Sequence, residues 1–338
     1  MEVGSGRRKD PSTALCSAQG DTGRIVATER KFVYNWGEGR AWIMEYVSAK
    51  NIVSGYAENT QWFGANYNMN IYRGCCHGCI YCDSRSECYG VEDFDTVRAK
   101  TNALGIIERN LRSKRKKGVV GMGAMSDPYN PFEYEHKLTR GALKLIDRYG
   151  FGAALATKSD LVVRDIDVLQ AIAKISPVIV KMTVTTSDDK LSRIVEPHVC
   201  ASSRRFAAIK RLNDAGVYAG VLMMPILPFI EDNERNILGI VRAASASGAQ
   251  FIFGAFGMTL RTNQRDWYYD KLDVHFPGLK KKYIRTYGDK YSCGVPHHRR
   301  LKHVFETECR KLGIRTDMAD IIDGYKGKYE VEQMRFDV

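Results

Sequence analysis

The chain has 338 residues, of which 44% are hydrophobic and 27% charged, and a formal net charge of +12. This is the composition of an ordinary globular protein with enough material for one large domain or two modest ones, which excludes disordered and collagen-like classes. The longest apolar stretch, 217–230, is interrupted by Pro225 and Pro228, so no helical membrane span is expected; with no targeting segment in view, the expected compartment is the cytoplasm.

Nine cysteines, an odd number, suit a reduced compartment better than a disulfide framework. The positive charge invites nucleic acid as a partner, but it is spread out. Residues 1–43 carry seven Lys/Arg against five Asp/Glu, residues 44–260 carry 27 against 22, and residues 261–338 carry 17 against 12.

In chain order, residues 1–43 open with a Gly-, Ser- and Arg-rich stretch lacking apolar periodicity, and are expected to be disordered or loosely attached. From residue 44 the character changes. Strands are predicted at 67–72, 119–122, 151–156, 178–183, 218–223 and 251–256. Helices are predicted between them at 96–114, 135–149, 163–173, 203–215 and 231–247. Gly118, Gly150, Gly216 and Gly248 stand where C-terminal caps commonly stand. Short apolar strands alternating with amphipathic helices predict an α/β fold with a parallel sheet, a partial (β/α)6 TIM-like barrel over 44–260. Residues 261–338, aromatic and basic, are expected to form a small C-terminal cap. Their interleaved aromatics and cations would suit nucleic acid, and equally a helical lid with half-buried tyrosines.

The most informative segment follows the first strand: Asn70-Ile-Tyr-Arg-Gly-Cys-Cys-His-Gly-Cys-Ile-Tyr-Cys82. Cys75, Cys79 and Cys82, spaced C-x3-C-x2-C, can hold three corners of a cubic iron–sulfur cluster and leave the fourth iron open to another ligand. Structural zinc is the competing use, with Cys76, His77 or Cys88 as fourth ligand. Zinc sites, however, usually draw ligand pairs from two separated knuckles, and no second such pair occurs.

In a barrel the chemistry collects at the C-terminal ends of the strands. The second strand runs into Gly121-Met-Gly-Ala-Met-Ser-Asp-Pro-Tyr-Asn-Pro131, where Ser126 and Asp127 are either a turn before proline or cofactor contacts. The third runs into Thr157-Lys-Ser159. Lys158, leaving an apolar strand at the active end, is costly unless it meets an anion. The fourth carries Thr183 and Thr185 at period two, and Glu196-Pro197 brings a carboxylate toward the same mouth.

The C-x3-C-x2-C spacing with Tyr81 before the last cysteine resembles the signature of the radical S-adenosylmethionine (SAM) superfamily. Tyr72-Arg-Gly-Cys75, Ser126-Asp-Pro-Tyr129, Thr157-Lys-Ser159, the 183–186 strand end, Glu196-Pro197 and the Pro225-x-x-Pro228 turn together resemble its spore photoproduct lyase-like branch. That resemblance implies a [4Fe–4S] cluster on Cys75, Cys79 and Cys82, with SAM on the open iron and Tyr81 near the adenine. It implies Ser126, Lys158 and Thr183 at the methionyl portion, Glu196 in the site, and an electron donor such as flavodoxin or ferredoxin. The implied chemistry is reductive cleavage of SAM to a 5′-deoxyadenosyl radical that abstracts hydrogen from substrate.

One departure is plain. The lyases place a hydrogen-donating cysteine two residues before the serine of the second-strand motif, where this chain has Ala124. Cys293, reaching in from the cap, and Tyr129 are candidate replacements. Two other functions remain in play: a DNA-lesion lyase with a relocated hydrogen donor, and a zinc- or cluster-stabilised nucleic-acid-binding protein without catalysis.

Overall fold

The computed structural model describes residues 28–36, 40–56 and 62–333. The strands in chain order are β1 (Thr28–Trp36), β2 (Arg40–Val47), β3 (Val53–Gly55), β4 (Tyr67–Met69), β5 (Tyr72–Arg73), β6 (Val97–Lys100), β7 (Val119–Met122), β8 (Gly152–Thr157), β9 (Val178–Thr183), β10 (Ala219–Met223), β11 (Ile252–Gly254), β12 (Gly257–Thr259) and β13 (Ser292–Gly294). The large sheet has the order β11-β10-β9-β8-β7-β4-β3. Its strands from β4 to β11 pair in parallel, and β3 closes one edge antiparallel. This is the α/β partial barrel expected from the alternating pattern, open between β3 and β11.

Crossover helices cover the outside of this sheet. Val120, Met122, Leu155, Val180, Met182 and Val221 face them in the main core, whereas Val119, Ala154, Ile179, Leu222 and Phe251 face the barrel interior. The alternation follows from the two-residue period of a strand covered on both sides.

Several element boundaries differ from expectation. The helix expected over 96–114 is strand β6 followed by a helix over Ala103–Ser113. Val97 and Ala99 are buried while Arg98 and Lys100 are half-buried, a period-two pattern that pairs β6 between β2 and β5. The helix expected over 135–149 is two, Glu133–His136 and Leu138–Arg148, separated where Lys137 takes a left-handed backbone at φ 50°. The first strand stops at Met69, and the chain turns so that β5 joins the other sheet.

The boundary expected at residues 43/44 falls inside β2, which pairs antiparallel with β1 and in parallel with β6. Residues 1–27 of the N-terminal extension lie outside the described residues.

The C-terminal chain covers both ends of the barrel. Helices Gln264–His275 and Leu279–Tyr287 bury Tyr268, Tyr269, Tyr283 and Tyr287 in one cluster with Cys79, Ile80 and Tyr81. These tyrosines are core, so they are not available to stack on nucleic-acid bases. Helix Met318–Gln333 lies under the opposite end, where the Tyr325 hydroxyl donates to the Phe63 carbonyl at 2.5 Å and Lys326 Nζ to the Gly64 carbonyl at 2.6 Å. Among the described residues, no helix is long and apolar enough to cross a membrane.

Candidate active site

The cysteine loop is held in place by its own backbone. Gly74 has φ +78°, and a Cβ there would come within 2.3 Å of the Thr96 carbonyl, so only glycine allows the loop to cross the start of β6. The Cys75 N–H donates to the Phe94 carbonyl at 2.8 Å and the Ile80 N–H to the Val195 carbonyl at 3.0 Å. Ser126 Oγ donates to the Gly74 carbonyl at 2.8 Å and so ties the end of β7 to the same loop.

These restraints bring Cys75, Cys79 and Cys82 to the wall of one cavity of about 670 Å³ at the C-terminal ends of the strands. Cys76 instead points into the main core. Burial raises the pKa of all three wall thiols, that of Cys82 to about 11, and each of Cys79 and Cys82 is raised further by charge on its neighbouring thiols. Thiols in this setting become thiolates only when a bound cation compensates them. The donor set therefore fits a metal cluster. Among the described residues no group of three or more His, Cys, Asp or Glu side chains converges on one ion; a cubic cluster asks instead for one iron per thiolate.

Around the thiols, Tyr81, Ser126, Asp127, Lys158 and Thr183 also line the cavity. Asp127 is fully occupied in joining strand ends. It accepts from Thr157 Oγ1 at 2.6 Å, from the Lys158 N–H at 2.8 Å and from the Tyr129 N–H at 2.9 Å, and faces His77 Nδ1 at 3.5 Å. The Lys158 ammonium lies 5.6 Å from the centre of the Tyr81 ring. Burial works against its charge, but Cys79, Glu196 and Asp127 outweigh burial and hold its pKa above the usual lysine value.

Glu196 stands behind the cavity wall. It accepts from the Tyr81 hydroxyl and pairs with Arg205, both members of the pair being fully buried. Arg205 also donates to the Thr183 carbonyl at 3.0 Å and to the Cys200 carbonyl at 2.9 Å. One guanidinium thus braces Tyr81, through Glu196, and the end of β9. No sequence signal marked Arg205, which sits in the first turn of the helix Ser202–Asp214 directly after Arg204.

Neither candidate hydrogen donor is on the wall. Cys293 is buried in the tyrosine cluster, although its neighbours Ser292 and Gly294 line the cavity, and Tyr129 is buried in the main core. Ala124 does line the cavity. Trp62, Phe253, Phe256, His298 and Lys302 also line the cavity without having been singled out as cofactor or catalytic residues, as does His77, named from the sequence only as an alternative zinc ligand. Phe253 and Phe256 lie at the end of the sixth barrel strand and were open to the strand-end rule; Trp62, His298 and Lys302 follow none of the six strands predicted from the sequence.

Comparison with known proteins agrees with this geometry. An uncharacterized protein of Mycobacterium tuberculosis (strain ATCC 25618 / H37Rv) is 31% identical over 231 residues, which span 65% of this chain and 67% of that one. Another, of Methanocaldococcus jannaschii, is 34% identical over 179 residues, spanning 51% and 64%. Among solved structures, spore photoproduct lyase complexed with dinucleoside spore photoproduct matches with a TM-score of 0.56, covering 73% of this chain and 74% of that one. At 15% identity that likeness speaks for the fold alone. The family model described as the radical SAM superfamily matches residues 69–239, a span that holds the cysteine loop and the ends of β7 to β10. The chain belongs to the radical SAM superfamily, whose cofactors are a [4Fe–4S] cluster and S-adenosylmethionine.

Proposed function

We propose that this protein is a radical SAM enzyme that abstracts hydrogen from a substrate seated in the cavity beside Lys158, Thr183 and the three cysteines. When bound, the cluster and SAM supply one-electron cleavage of the sulfonium and a carbon radical able to take hydrogen. Cys75, Cys79 and Cys82 would hold the cluster. The Lys158 ammonium, with Ser126 and Thr183, would hold the methionyl end of SAM, and the Tyr81 ring, braced by Glu196 and Arg205, would lie against the adenine. Asp127 acts as a positioning residue that joins the ends of β7 and β8. The observation that carries this proposal is that three thiols and Tyr81 from the cysteine loop share one cavity with the half-buried Lys158 from the end of β8.

The cap helices cover the cysteine loop, which favours exclusion of water from the reacting centre. An electron donor of the flavodoxin or ferredoxin type belongs to the same proposal, as does residence in the cytoplasm. Cys293, whose thiol packs among the cap tyrosines between two lining residues, would serve as hydrogen donor only after a rearrangement of β13 that turned it into the cavity. A lesion-lyase activity on DNA would need that relocated donor to work. Tyr129, buried away from the wall, would serve as a donor only through intervening groups.

The test is release of 5′-deoxyadenosine from SAM by anaerobically reconstituted, dithionite-reduced protein, with Cys79→Ala as control. Cysteine-dependent release is expected. A fully loaded cluster that gives no release, with or without candidate substrates, would refute the proposal.

A further inference from the structure

The three cluster cysteines are not anchored alike. The Cys75 end of their loop is tied to the barrel, by the Phe94 carbonyl and by Ser126. The Cys79–Cys82 end, beyond the Ile80 bond to Val195, meets the C-terminal cap. Gln264, the first residue of helix Gln264–His275, is fully buried there. Its side-chain Nε2 donates to the Tyr81 carbonyl at 3.0 Å, across 183 residues of sequence. Its Oε1 accepts from the Arg261 N–H at 3.0 Å, which fixes the amide orientation: the NH2 group has to face the cysteine loop.

One turn further on, Trp267 lies on the same helix face. Its Nε1, which can only donate, bonds the Cys79 carbonyl at 3.4 Å, an oxygen that also accepts from the Cys82 N–H at 3.3 Å. The indole is half-buried, with the Arg85 guanidinium 3.8 Å and the Lys271 ammonium 4.3 Å from its ring centre. Arg85 ends the short turn Asp83–Arg85 that follows Cys82 directly, and it also meets Asp95 and the Phe94 ring. The Glu87 N–H donates to the Thr262 carbonyl at 3.3 Å. The cap thus grips the stretch 79–87, and at Cys79 and Tyr81 it does so on the backbone of the C-x2-C segment itself.

A thiol points where its backbone directs it, and the groups behind a metal ligand set its orientation and its hold on the metal. We propose that Gln264 and Trp267 are positioning residues for the cluster. By fixing the Tyr81 and Cys79 carbonyls they fix the directions in which Cys79 and Cys82 present their sulfurs, which makes the cap part of the cluster site. The proposal rests on the radical SAM reading above, in which these cysteines hold the cluster. Neither residue lines the cavity, so their influence passes through the loop and not through a molecule bound beside it.

Cluster retention tests this without SAM. Reconstituted wild-type protein and variants are held anaerobically with an iron chelator, well below their melting temperatures, and iron release is followed by absorbance. Trp267→Phe keeps a ring against Arg85 and removes the N–H; it should release iron severalfold faster. Gln264→Met should do so by about 10-fold or more, as when groups behind a metal ligand are removed. Arg265→Met is the control, because its guanidinium bonds the Leu260, Gly288 and Lys290 carbonyls within the cap. It should lower Tm yet keep the wild-type release rate. The EPR signal of the dithionite-reduced cluster should split into more than one species in Gln264→Met and Trp267→Phe only. Wild-type release rates in both variants, equally fast release from Arg265→Met, or faster release with an unchanged spectrum each overturn the proposal. Should Gln264→Met fail to fold, Trp267→Phe decides alone. A wild-type protein that takes up no iron and sulfide would refute the cluster reading and this proposal with it, whereas cleavage of SAM enters neither readout.

Discussion

Two lysines of the barrel, Lys158 at a strand end on the cavity wall and Lys181 in mid-strand behind it, are treated in opposite ways. At the cofactor end, Lys158 is surrounded by Cys79, Glu196 and Asp127, and its charge is kept despite burial. In the middle of β9, Lys181 lies against the Phe63 ring in a buried aromatic core, and its charge is disfavoured. A lysine in a barrel interior therefore says little by itself; the charges that converge on it from other strands decide what it does. Thiol and carboxylate groups from other elements hold the charge on Lys158, whereas none offsets the burial of Lys181.

The strongest way to break this comparison is at the cofactor end. Cys79→Ala should reduce cluster iron and acid-labile sulfide together and take 5′-deoxyadenosine release to background. Retained iron and release would show that the three thiols do not act as one donor set. Removing the brace behind the wall should cost stability as well. Arg205→Met leaves the Glu196 carboxylate buried and unpaired, and should destabilise by about 3–5 kcal/mol in chemical denaturation. Adding Glu196→Gln should recover most of that loss, because the uncompensated charge is then gone.

Lys158→Met should weaken SAM binding by about 10- to 100-fold, the worth of one charge-assisted contact, as read by equilibrium dialysis. The smallest expected effect sharpens the contrast at Lys181. With a folded-state pKa near 7 and an unfolded value near that of free lysine, the unfolded chain binds more protons at Lys181 between those two values. Stability should therefore rise with pH through that window and level off above it. Lys181→Met should remove this slope and gain about 1–3 kcal/mol at pH 7, less than the full shift implies because buried sites relax and admit water. A variant that keeps the wild-type slope, or loses stability at every pH, would show that Lys181 has a partner in the folded chain.

Much of the framework was readable along the chain. The cysteine loop, strands β7 to β10 and the strand-end placement of Ser126, Lys158 and Thr183 all depend on spacing over a few residues. Period-two burial and a C-x3-C-x2-C loop are local properties that survive without knowledge of the rest of the molecule. The region around β6 was misread because four residues of alternating Val-Arg-Ala-Lys adjoin a good helix, and only pairing with β2 and β5 separates the two. The tyrosines of the cap were legible as aromatic and basic, but their burial against Cys79 and Tyr81 was not.

What the sequence by itself determined was the spacing of Cys75, Cys79 and Cys82 in their loop, the alternating α/β pattern and the superfamily. Tertiary structure alone decided that Arg205 braces Tyr81 through Glu196, that Asp127 is spent on joining two strands, that Cys293 and Tyr129 stand off the wall, and that Lys181 meets no acidic group among the described residues. The physical reason is range. Metal-ligand spacing and strand periodicity are set by neighbours along the chain, whereas burial and charge pairing are set by residues scores of positions away that meet only when the barrel forms.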